Sequence, residues 1–461
     1  MSNWKDRAYF GSPVWLQNAA VSLLGWQLQR QRYGRAGREF VEHLARTGKM
    51  DAAGLRQVQE DAFAELVGFA LRNVRFYRDL ARQDPTLLAS PPGLSAIDRL
   101  PIVEKEMLRR NAASFVADKG SCPGSVFSLG TSGTSGTPLK LYCDTPARQR
   151  HYAFWIRLRQ QNGIAPGTRR ATFFGRIILE PHTDRPPFWR FDRAQNNVLF
   201  SSYHLSEANL PHYYRKLCDL AAEEIIGYPS SLFQVARYIV RENLPFPAPR
   251  VVFTTAETLL AHQREIIARA FGAPVIDQYG CTEMVIFVAQ CAHGGYHIHP
   301  EHGYLEILDD NGRPVPDGVP GSAVCTGFLN RAMPLIRYRL GDRLIAAAGA
   351  CPCGSSFPLL ASIEGRLDDI LMTTDGRPLT RLDPIFKTLR GIAETQIIQQ
   401  ENDLLVIKLV ADSTFNDEDE ATLVHELRKR AGADMRISIE RLTEIPKDRN
   451  GKFRTVISRI R

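Results

Sequence analysis

The chain has 461 residues, of which 44% are hydrophobic and 23% are charged, and its formal net charge is +8. These values are typical of a globular protein with two or three domains. Because no apolar run reaches the roughly 18 residues of a membrane span and no signal-peptide core follows the first residues, we expect a cytoplasmic protein. The basic residues are spread along the chain, which favours anionic substrates over nucleic acid as partners.

The first part of the chain is predicted to be helical. Apolar residues recur at helical spacing through residues 1–90, with an expected break at Arg32–Gly34 and a closing turn at Pro91–Gly93. A further helix is predicted over residues 145–161. The stretch 180–200 is rich in proline and arginine and is predicted to be an irregular surface loop.

From residue 206 onwards, predicted helices and strands alternate. The strands are expected near 224–227, 250–254 and 274–279, and the helices near 206–222, 230–242 and 259–271. This alternation indicates a mainly parallel sheet with helices on both faces. Ligands of such sheets bind at the carboxyl ends of the strands, where Ala256–Thr258 and Tyr279–Glu283 stand in this sequence.

The pattern of apolar and polar residues changes after residue 296. Short alternating runs over 296–348 predict antiparallel hairpins in a small β-barrel-like part. The predicted fold class is therefore α/β, with a large N-terminal domain over residues 1–365 and a hinge at 366–369. Residues 370–461 are predicted to form a small, mobile α+β domain with strands near 395–410 and 435–441 and a helix near 417–431.

A loop crowded with glycine and hydroxyl side chains runs from Ser128 to Lys140. Its backbone N–H groups can approach an anion closely, its hydroxyls add donors, and Lys140 adds a positive charge. The loop therefore suits a polyphosphate, although it lacks the Gly-Lys-Ser/Thr ending of a P-loop. The alternative interpretation is a flexible linker.

Three of the eight cysteines suggest a metal site. Cys351 and Cys353 form a knuckle-type thiolate pair, and Cys291 with His297 would complete a tetrahedral set typical of structural zinc. Rival histidines are His293 and His299. The alternative is three unrelated thiols beside solvent-facing histidines.

Five short signatures occur in one order along the chain. They are the loop at 128–140, Tyr279–Glu283, Ile336–Asp342, Gly365–Asp369, and Pro446 followed by Gly451–Arg454. The ordered set resembles the acyl-adenylate-forming superfamily of acyl-CoA ligases, luciferases and peptide-synthetase adenylation domains. It is most similar to the phenylacetate–CoA ligase-like branch with its capsule-biosynthesis-associated members, over roughly residues 95–455.

The resemblance implies a two-step reaction. A carboxylate attacks the α-phosphate of ATP to give an acyl-adenylate and pyrophosphate, and a nucleophile, usually the thiol of coenzyme A, then displaces AMP. ATP, Mg²⁺ and coenzyme A are the implied cofactors. The residues implied to bind the nucleotide are Ser132, Gly133, Thr134, Ser135, Gly136, Thr137, Lys140, Ala256, Glu257, Thr258, Gln278, Tyr279, Gly280, Thr282, Asp342 and Arg366.

Individual roles follow from the same resemblance. The ring of Tyr279 would flank adenine, Asp342 would accept both ribose hydroxyls, and Arg366 would reach the same sugar or a phosphate. Glu283 would hold Mg²⁺. Lys452 would offset charge where the substrate carboxylate meets the α-phosphate.

Two further expectations concern the end of the chain. Lys452 is preferred to Lys447 as the catalytic lysine because it stands between Gly451 and Arg454, as in the family pattern. Asp368 would be the hinge about which the small domain turns between the two half-reactions.

Three functions stay open at this point: a ligase forming a CoA thioester of an aryl or other small acid, an adenylate-forming ligase with an amine or hydroxyl acceptor, and an inactive scaffold of the same fold. The oligomeric state is also open, with a homodimer as one possibility. Candidates for the wall of the acid pocket are Tyr152, Phe154, Arg176, Tyr203, His204 and Tyr228.

Overall fold

A computed structural model of the chain describes residues 4–130, 139–180, 183–366, 371–375, 378–379, 391–447 and 453–460. These residues divide into two compact units, and each is described on its own. The first unit comprises Met1–Arg170, Arg190–Val198 and Ile276–Ile363. The second comprises Ala171–Trp189, Leu199–Val275 and Glu364–Arg461.

The helical lead-in predicted over residues 1–90 is confirmed. No helix in the described part of the chain is long and apolar enough to cross a lipid bilayer. The α-helices are α1 (Trp4–Phe10), α2 (Val14–Arg32), α3 (Arg35–Thr47), α4 (Ala52–Asn73), α5 (Arg75–Gln83), α6 (Thr86–Ala89), α7 (Lys105–Arg110), α8 (Thr145–Gln161), α9 (Leu210–Leu220), α10 (Pro229–Arg241), α11 (Ala261–Phe271) and α12 (Asp417–Ala431).

The ends of these helices have local chemical causes. The side chain of Asp51 accepts a hydrogen bond from Gly54 N at 2.8 Å and begins α4, and Asp144 begins α8 in the same way. The predicted break after Arg32 is confirmed between α2 and α3. Helix α11 ends at Gly272, whose φ of +61° favours glycine.

The longest strands of the described chain, of eight to ten residues, lie in its second half. In chain order, the strands are β1 (Val126–Gly130), β2 (Lys140–Asp144), β3 (Arg170–Phe174), β4 (Trp189–Asp192), β5 (Asn197–Ser201), β6 (Glu224–Gly227), β7 (Val251–Thr255), β8 (Val275–Gly280), β9 (Phe287–Gln290), β10 (Tyr296–Ile298), β11 (Gly303–Leu308), β12 (Pro320–Gly327), β13 (Tyr338–Ala347), β14 (Leu359–Arg366), β15 (Leu371–Met372), β16 (Pro378–Leu379), β17 (Ile392–Glu401), β18 (Leu404–Ala411), β19 (Arg436–Arg441) and β20 (Val456–Ser458).

The first unit contains an antiparallel set of strands. Neighbouring strands follow the order β11-β12-β13-β14-β10-β9-β8, so the predicted hairpins of residues 296–348 are confirmed. The core of this unit packs the fully buried Val288 and Tyr338 against Phe115 and Leu108, which precede β1. A second core buries the apolar stripe of α4 that includes Phe63 and Leu66.

The second unit contains parallel pairing and the C-terminal residues. Strand β6 runs parallel to β7, as the alternation of helices and strands predicts. Near the end of the chain, four strands follow the order β19-β18-β17-β20. Helix α12 covers this sheet with Leu423 and Leu427, both fully buried, which confirms the α+β character predicted for this part of the chain.

One secondary-structure prediction is wrong. The stretch 180–200 is not only an irregular loop, since it contains β4 and most of β5. All five residues of β5 are buried, and the ring of Phe200 stacks on that of Phe173 with centroids 4.7 Å apart. The many prolines and arginines around this strand mask its short apolar run, and only the packing of Phe200 reveals it.

A buried charged network joins α3 and α8 in the first unit. Arg157, on α8, forms a two-pronged ion pair with Glu301 at 2.8 and 3.2 Å, and Thr47, on α3, donates a hydrogen bond to the same carboxylate. Both charged side chains are almost fully buried. Removing one partner of such a pair costs about 3–5 kcal/mol, because the other charge is left uncompensated.

Two histidines of the same region are buried as neighbours. Nδ1 of His151 lies 3.0 Å from Nε2 of His302. Burial, together with the neighbouring charges of Arg148 and Arg32, lowers the pKa of His151 well below its usual value, and burial lowers the pKa of His302 to about 3. Both rings are therefore neutral in the folded protein near neutral pH.

The thermal stability of the protein is predicted to fall under mildly acidic conditions. The unfolded chain takes up protons at an ordinary histidine pKa of about 6.5, whereas folded His151 and His302 resist protonation, so stability is lost as pH drops below that value. A series of melting temperatures against pH measures this, and we expect a decrease of several degrees. Replacing the exposed His293 by Asn should leave the profile unchanged, and a melting temperature independent of pH would contradict the prediction.

Candidate active site

The carboxyl end of β8 meets β13 through a tyrosine and an aspartate. Tyr279 is the fifth residue of β8, and its hydroxyl donates a hydrogen bond to Oδ2 of Asp342 at 2.6 Å. Asp342 follows Gly341, whose φ of +81° places it in the left-handed region that glycine tolerates. Burial and the negative charge of Asp342 raise the pKa of Tyr279 well above its usual value, so the phenol stays a donor.

In a second tyrosine–carboxylate pair, the tyrosine lies on β13 and the carboxylate follows β8. Glu283 stands in the turn after β8, and its Oε1 accepts a hydrogen bond from the hydroxyl of Tyr338 at 3.3 Å. Tyr338 begins β13 and is fully buried, so the position of its ring is fixed. The end of β8 with its following turn and strand β13 each supply one tyrosine and one carboxylate, so the two hydrogen bonds run in opposite directions between them. Both carboxylates therefore lie in one region of the first unit.

The electrostatic surroundings of the Cys281 thiol include both carboxylates. Burial raises the pKa of this thiol far above the ordinary value, and the negative charges of Glu283 and Asp342 raise it further. Both carboxylates are therefore within electrostatic range of one sulfur atom. The predicted grouping of Tyr279, Glu283 and Asp342 is present in this unit.

The predicted turn after β7 has its own partners in the second unit. Glu257 Oε1 accepts a hydrogen bond from Phe453 N at 2.7 Å, and Oε2 accepts one from Ser230 N at 3.1 Å, in the first turn of α10. Ala256, with φ +70°, shapes the turn. Gly365, with φ +91°, lies against it, because a Cβ there would approach Oγ1 of Thr258 at 3.3 Å.

A half-buried lysine lies among three carboxylates in the same unit. Nζ of Lys447 donates to the carbonyl oxygen of Ser202 at 2.7 Å. Burial lowers the pKa of Lys447, while the charges of Glu394, Glu257 and Glu444 act in the opposite direction. Lys447, set aside in the sequence analysis in favour of Lys452, is thus part of the electrostatic surroundings of Glu257.

The candidate residues for the acid pocket fall into two groups. Phe154 is fully buried and packs against Phe287, so it belongs to the core of the first unit. Tyr228, at the start of α10, contacts the ring of Phe174 with centroids 5.2 Å apart. Tyr203 donates a hydrogen bond to the carbonyl of Gly175 at 3.1 Å, which places it beside the same end of β3.

The cysteines and histidine predicted as metal ligands form one cluster in the first unit. All four candidate ligand atoms of Cys291, His297, Cys351 and Cys353 lie within 4.8 Å of one another. Sγ of Cys291 is 3.6 Å from Sγ of Cys351, and Sγ of Cys353 is 3.3 Å from Nε2 of His297. The rival His299 instead contacts Arg157. The four residues therefore lie together as predicted, and their role as metal ligands stays a prediction.

Several predicted residues lie outside the described part of the chain. These are Ser132 to Thr137 of the glycine-rich loop, the hinge residue Asp368 and the catalytic candidate Lys452. Lys140 is described and exposed at the start of β2, with Nζ 5.3 Å from the centre of the Tyr142 ring. The domain boundary at the hinge and the roles of the site residues stay predictions.

The remaining predicted nucleotide-binding residues stand around the end of β8 and at the end of β14. Gln278 is buried and donates to the carbonyl of Tyr279 at 2.8 Å. A Cβ on Gly280 would come within 2.8 Å of Nε2 of Gln278, so only glycine fits there without a shift. Thr282 is exposed, and Arg366 is the last residue of β14.

Sequence reasoning gave no role to Tyr338 or Glu394. A signal for Tyr338 existed, because it lies within the same Ile336–Asp342 signature that contains Asp342. Glu394 carries no motif. Its contact with Gln234, on α10, becomes visible only when β17 is placed beside that helix in the second unit.

Comparisons with known proteins agree with this geometry. The family model described as "CapK C-terminal domain" matches residues 371–459. Protein CapK from Staphylococcus aureus is 26% identical over 98% of this chain and 99% of its own length. A phenylacetate–coenzyme A ligase from Thermus thermophilus is 24% identical over 69% of this chain and 72% of its own length.

A solved structure shares the fold. It is 2-hydroxyisobutyryl-CoA ligase in a postadenylation state, with a TM-score of 0.70 and 22% identity over 90% of this chain and 92% of the ligase. The fold is that of the acyl-adenylate-forming CoA ligases. Within that class, the chain is a homologue of CapK and of the phenylacetate–coenzyme A ligases, which confirms the resemblance noted in the sequence.

The convergence of the two carboxylates predicts an unreactive thiol at Cys281. Because only the thiolate is alkylated, the raised pKa should keep Cys281 unlabelled in the native protein near neutral pH. Replacing Glu283 by Gln removes a nearby negative charge and should speed its alkylation, as followed by mass spectrometry. Glu104→Gln, at a surface ion pair with Arg339, is the control and should change nothing. Rapid labelling of Cys281 in the native protein would show that the charges do not converge on it.

Proposed function

We propose that this protein is an ATP-dependent, AMP-forming ligase that activates a carboxylic acid as an acyl-adenylate and transfers the acyl group to coenzyme A. The observation that carries the proposal is the crossed pair of hydrogen bonds that joins Tyr279 to Asp342 and Tyr338 to Glu283. The homology to phenylacetate–coenzyme A ligases supports it.

In this proposal, Asp342 and Tyr279 bind the nucleoside. Tyr279 fixes the orientation of the Asp342 carboxylate by donating to one of its oxygens, and the carboxylate then accepts the two ribose hydroxyls. The ring of Tyr279, held by the same bond, flanks adenine. Arg366, at the end of β14, reaches the sugar or a phosphate.

Glu283 is proposed to be the protein ligand of Mg²⁺. Carboxylate oxygens are the ligands this ion prefers, and Glu283 is half-buried with only one oxygen taken up by Tyr338 in the described contacts. When bound, the ion would neutralise charge on the phosphates of ATP. Tyr338 keeps the carboxylate aimed in one direction, which reduces the reorganisation needed on binding.

Lys452 is proposed to be the catalytic lysine, and Glu257 to position it. The residue after Lys452 is Phe453, whose peptide nitrogen is held by Oε1 of Glu257 at 2.7 Å. A cation beside the reacting carboxylate and the α-phosphate lowers the repulsion between two anions. The glycine-rich loop with Ser132 to Thr137 and Lys140 would hold the β- and γ-phosphates.

The acid is proposed to be an aryl or other small acid. The residues that favour this are Tyr228, Phe174 and Tyr203, which gather at the carboxyl ends of β3 and β6 in the second unit. Arg176 follows the same strand and would pair with a polar substituent. The cytoplasmic location and the oligomeric state stay predictions from the sequence.

We also propose that Cys291, His297, Cys351 and Cys353 hold a structural zinc ion. In a tetrahedral site with Zn–S bonds of about 2.3 Å, ligand atoms lie roughly 3.8 Å apart. The sulfur–sulfur distance of 3.6 Å and the sulfur–nitrogen distance of 3.3 Å are close to that value. Three thiolates and one imidazole leave no open coordination position, so the ion would stabilise the fold.

Purified protein is therefore expected to contain about one zinc ion per chain. Elemental analysis measures this directly. Cys353→Ser should lower the zinc content and the melting temperature together, whereas Cys218→Ser, at a cysteine outside the cluster, should change neither. Zinc far below one per chain in protein purified without chelators would remove this proposal.

The acceptor in the second step has a rival to coenzyme A. Residues 371–459 match the CapK C-terminal domain, and this part of the chain is the one proposed to move between half-reactions. An amine or hydroxyl acceptor, giving an amide or ester, therefore stands beside the CoA thioester as a second candidate. Incubation with the activated acid and each acceptor, followed by mass spectrometry of the products, separates the two.

ATP–pyrophosphate exchange across aryl, fatty and amino acids tests the first step. We expect exchange with at least one acid, and a loss of about 100-fold or more in Glu283→Gln and Lys452→Ala, because each removes charge stabilisation at the phosphates. Lys119→Ala, at an exposed lysine, is the charge-matched control and should retain activity. Absence of exchange with every acid, in a protein that melts cooperatively, would instead favour the inactive scaffold.

A further inference from the structure

Helix α2 packs on the first unit through its polar side. Gln17 accepts a hydrogen bond from Nε of Arg190 at 2.6 Å, and Asn18 accepts one from Phe191 N at 2.9 Å. One turn further, Ser22 accepts a hydrogen bond from Arg193 N at 3.0 Å. The helix is therefore held by hydrogen bonds along the segment around β4, rather than by an apolar stripe.

On this same side, a glycine allows α2 to approach the segment around β4 closely. Gly25 is buried, and a Cβ at this position would collide with the carboxylate of Asp192. Gln17, Val21 and Gly25 are the buried residues of α2, spaced four apart on one side of the helix. Apart from Val21 and the half-buried Leu28, this inward side is polar or lacks a side chain.

The outward side of α2 carries five large apolar side chains. Trp15 is 70% exposed, Leu23 59%, Leu24 51% and Trp26 47%, and Leu16 is also exposed. With Val14, α2 supplies six of the eleven large hydrophobic side chains that the described residues leave in solvent. A helix of a globular protein normally buries most such residues, whereas α2 leaves them exposed.

The surroundings of this apolar side are positively charged. Helix α2 contains no acidic residue, and its last turn carries Arg30 and Arg32. Residues 4–39 contain six basic and two acidic residues, a net charge of +4. Arg30 stacks on the ring of Trp26 at 4.7 Å, so a cation and an indole occupy one exposed patch.

We infer that the outward side of α2 binds the surface of an anionic lipid bilayer, with the helix lying in the plane of the interface. Tryptophan and leucine on one side of a helix, with flanking arginines, suit the boundary between head groups and acyl chains. Trp15, Leu23, Leu24 and Trp26 would enter this boundary, and Arg30 would stay at the level of the lipid phosphates.

A second copy of the chain is the main alternative occupant, and charge argues against it. A two-fold interface pairs the same patch from both subunits, so two positively charged surfaces would face each other. An anionic bilayer offers the complementary charge instead. The inference is independent of the proposed function, because the residues of α2 are not part of the proposed catalytic machinery.

Sedimentation with lipid vesicles tests the inference. The full chain is mixed with vesicles of phosphatidylcholine alone or of phosphatidylcholine with phosphatidylglycerol, and the bound fraction is measured at low and high salt. We expect binding to the vesicles containing phosphatidylglycerol that weakens at high salt, and little binding to neutral vesicles. No binding to either kind of vesicle would overturn the inference.

Variants locate the binding surface. Leu24→Gln and the double variant Trp15→Gln/Leu23→Gln should weaken partitioning, the double variant by about tenfold or more, because each removes an inserting side chain. Leu88→Gln is the matched control, since Leu88 is also 51% exposed but belongs to α6. Equal binding by all of these proteins, with unchanged melting temperatures, would place the lipid contact elsewhere.

Two further measurements keep the result interpretable. Quenching of tryptophan fluorescence by brominated lipids reports on insertion in the unaltered protein, even if a variant folds poorly. Light scattering after size exclusion gives the oligomeric state. A dimer that Trp15→Gln/Leu23→Gln converts to a monomer, without vesicle binding by the unaltered protein, would make this side of α2 a self-association surface and overturn the inference.

Discussion

Two hydrogen bonds from tyrosine hydroxyls fix the carboxylates on which the rest of the site depends. Asp342 and Glu283 carry like charges near one buried thiol, and without a donor each would be free to rotate away from the other. Tyr279 and Tyr338 prevent this rotation, because each is anchored in a strand and donates across to the opposite element. In the proposed function, a nucleotide and its metal ion would meet carboxylates that are already oriented, so little ordering would remain to be done on binding.

In the second unit, backbone N–H groups rather than tyrosine hydroxyls hold a carboxylate. Glu257 sits in a half-buried turn, where burial raises its pKa, and the peptide nitrogens of Ser230 and Phe453 counteract this by stabilising the ionised form. Lys447 adds a positive charge and binds the carbonyl oxygen of Ser202. The turn after β7 and the end of the chain are thereby tied together through one carboxylate. A turn of only three residues can therefore position a segment nearly 200 positions further along the chain.

Helix α2 shows how directional bonds can override hydrophobic patterning. Gln17, Asn18 and Ser22 find partners along a single segment, and Gly25 permits close contact with Asp192. These polar contacts have a required geometry, whereas burial of Trp15 on the other side of the helix would have been satisfied by any apolar surface. The helix is therefore oriented by its hydrogen bonds, and its large apolar side chains stay exposed on the outward side.

The sequence by itself determined most of the local elements and pointed to candidate groups for the site. It predicted α8 over residues 145–161, and a short thiolate pair pointed to Cys351 and Cys353 as candidate ligands. Only the tertiary structure decided which groups meet: that His297 rather than His299 joins the thiols, and that Tyr338 serves Glu283. The physical reason is that periodicity and propensity act over a few residues, whereas these contacts join side chains from separate strands and depend on how the strands are ordered and paired.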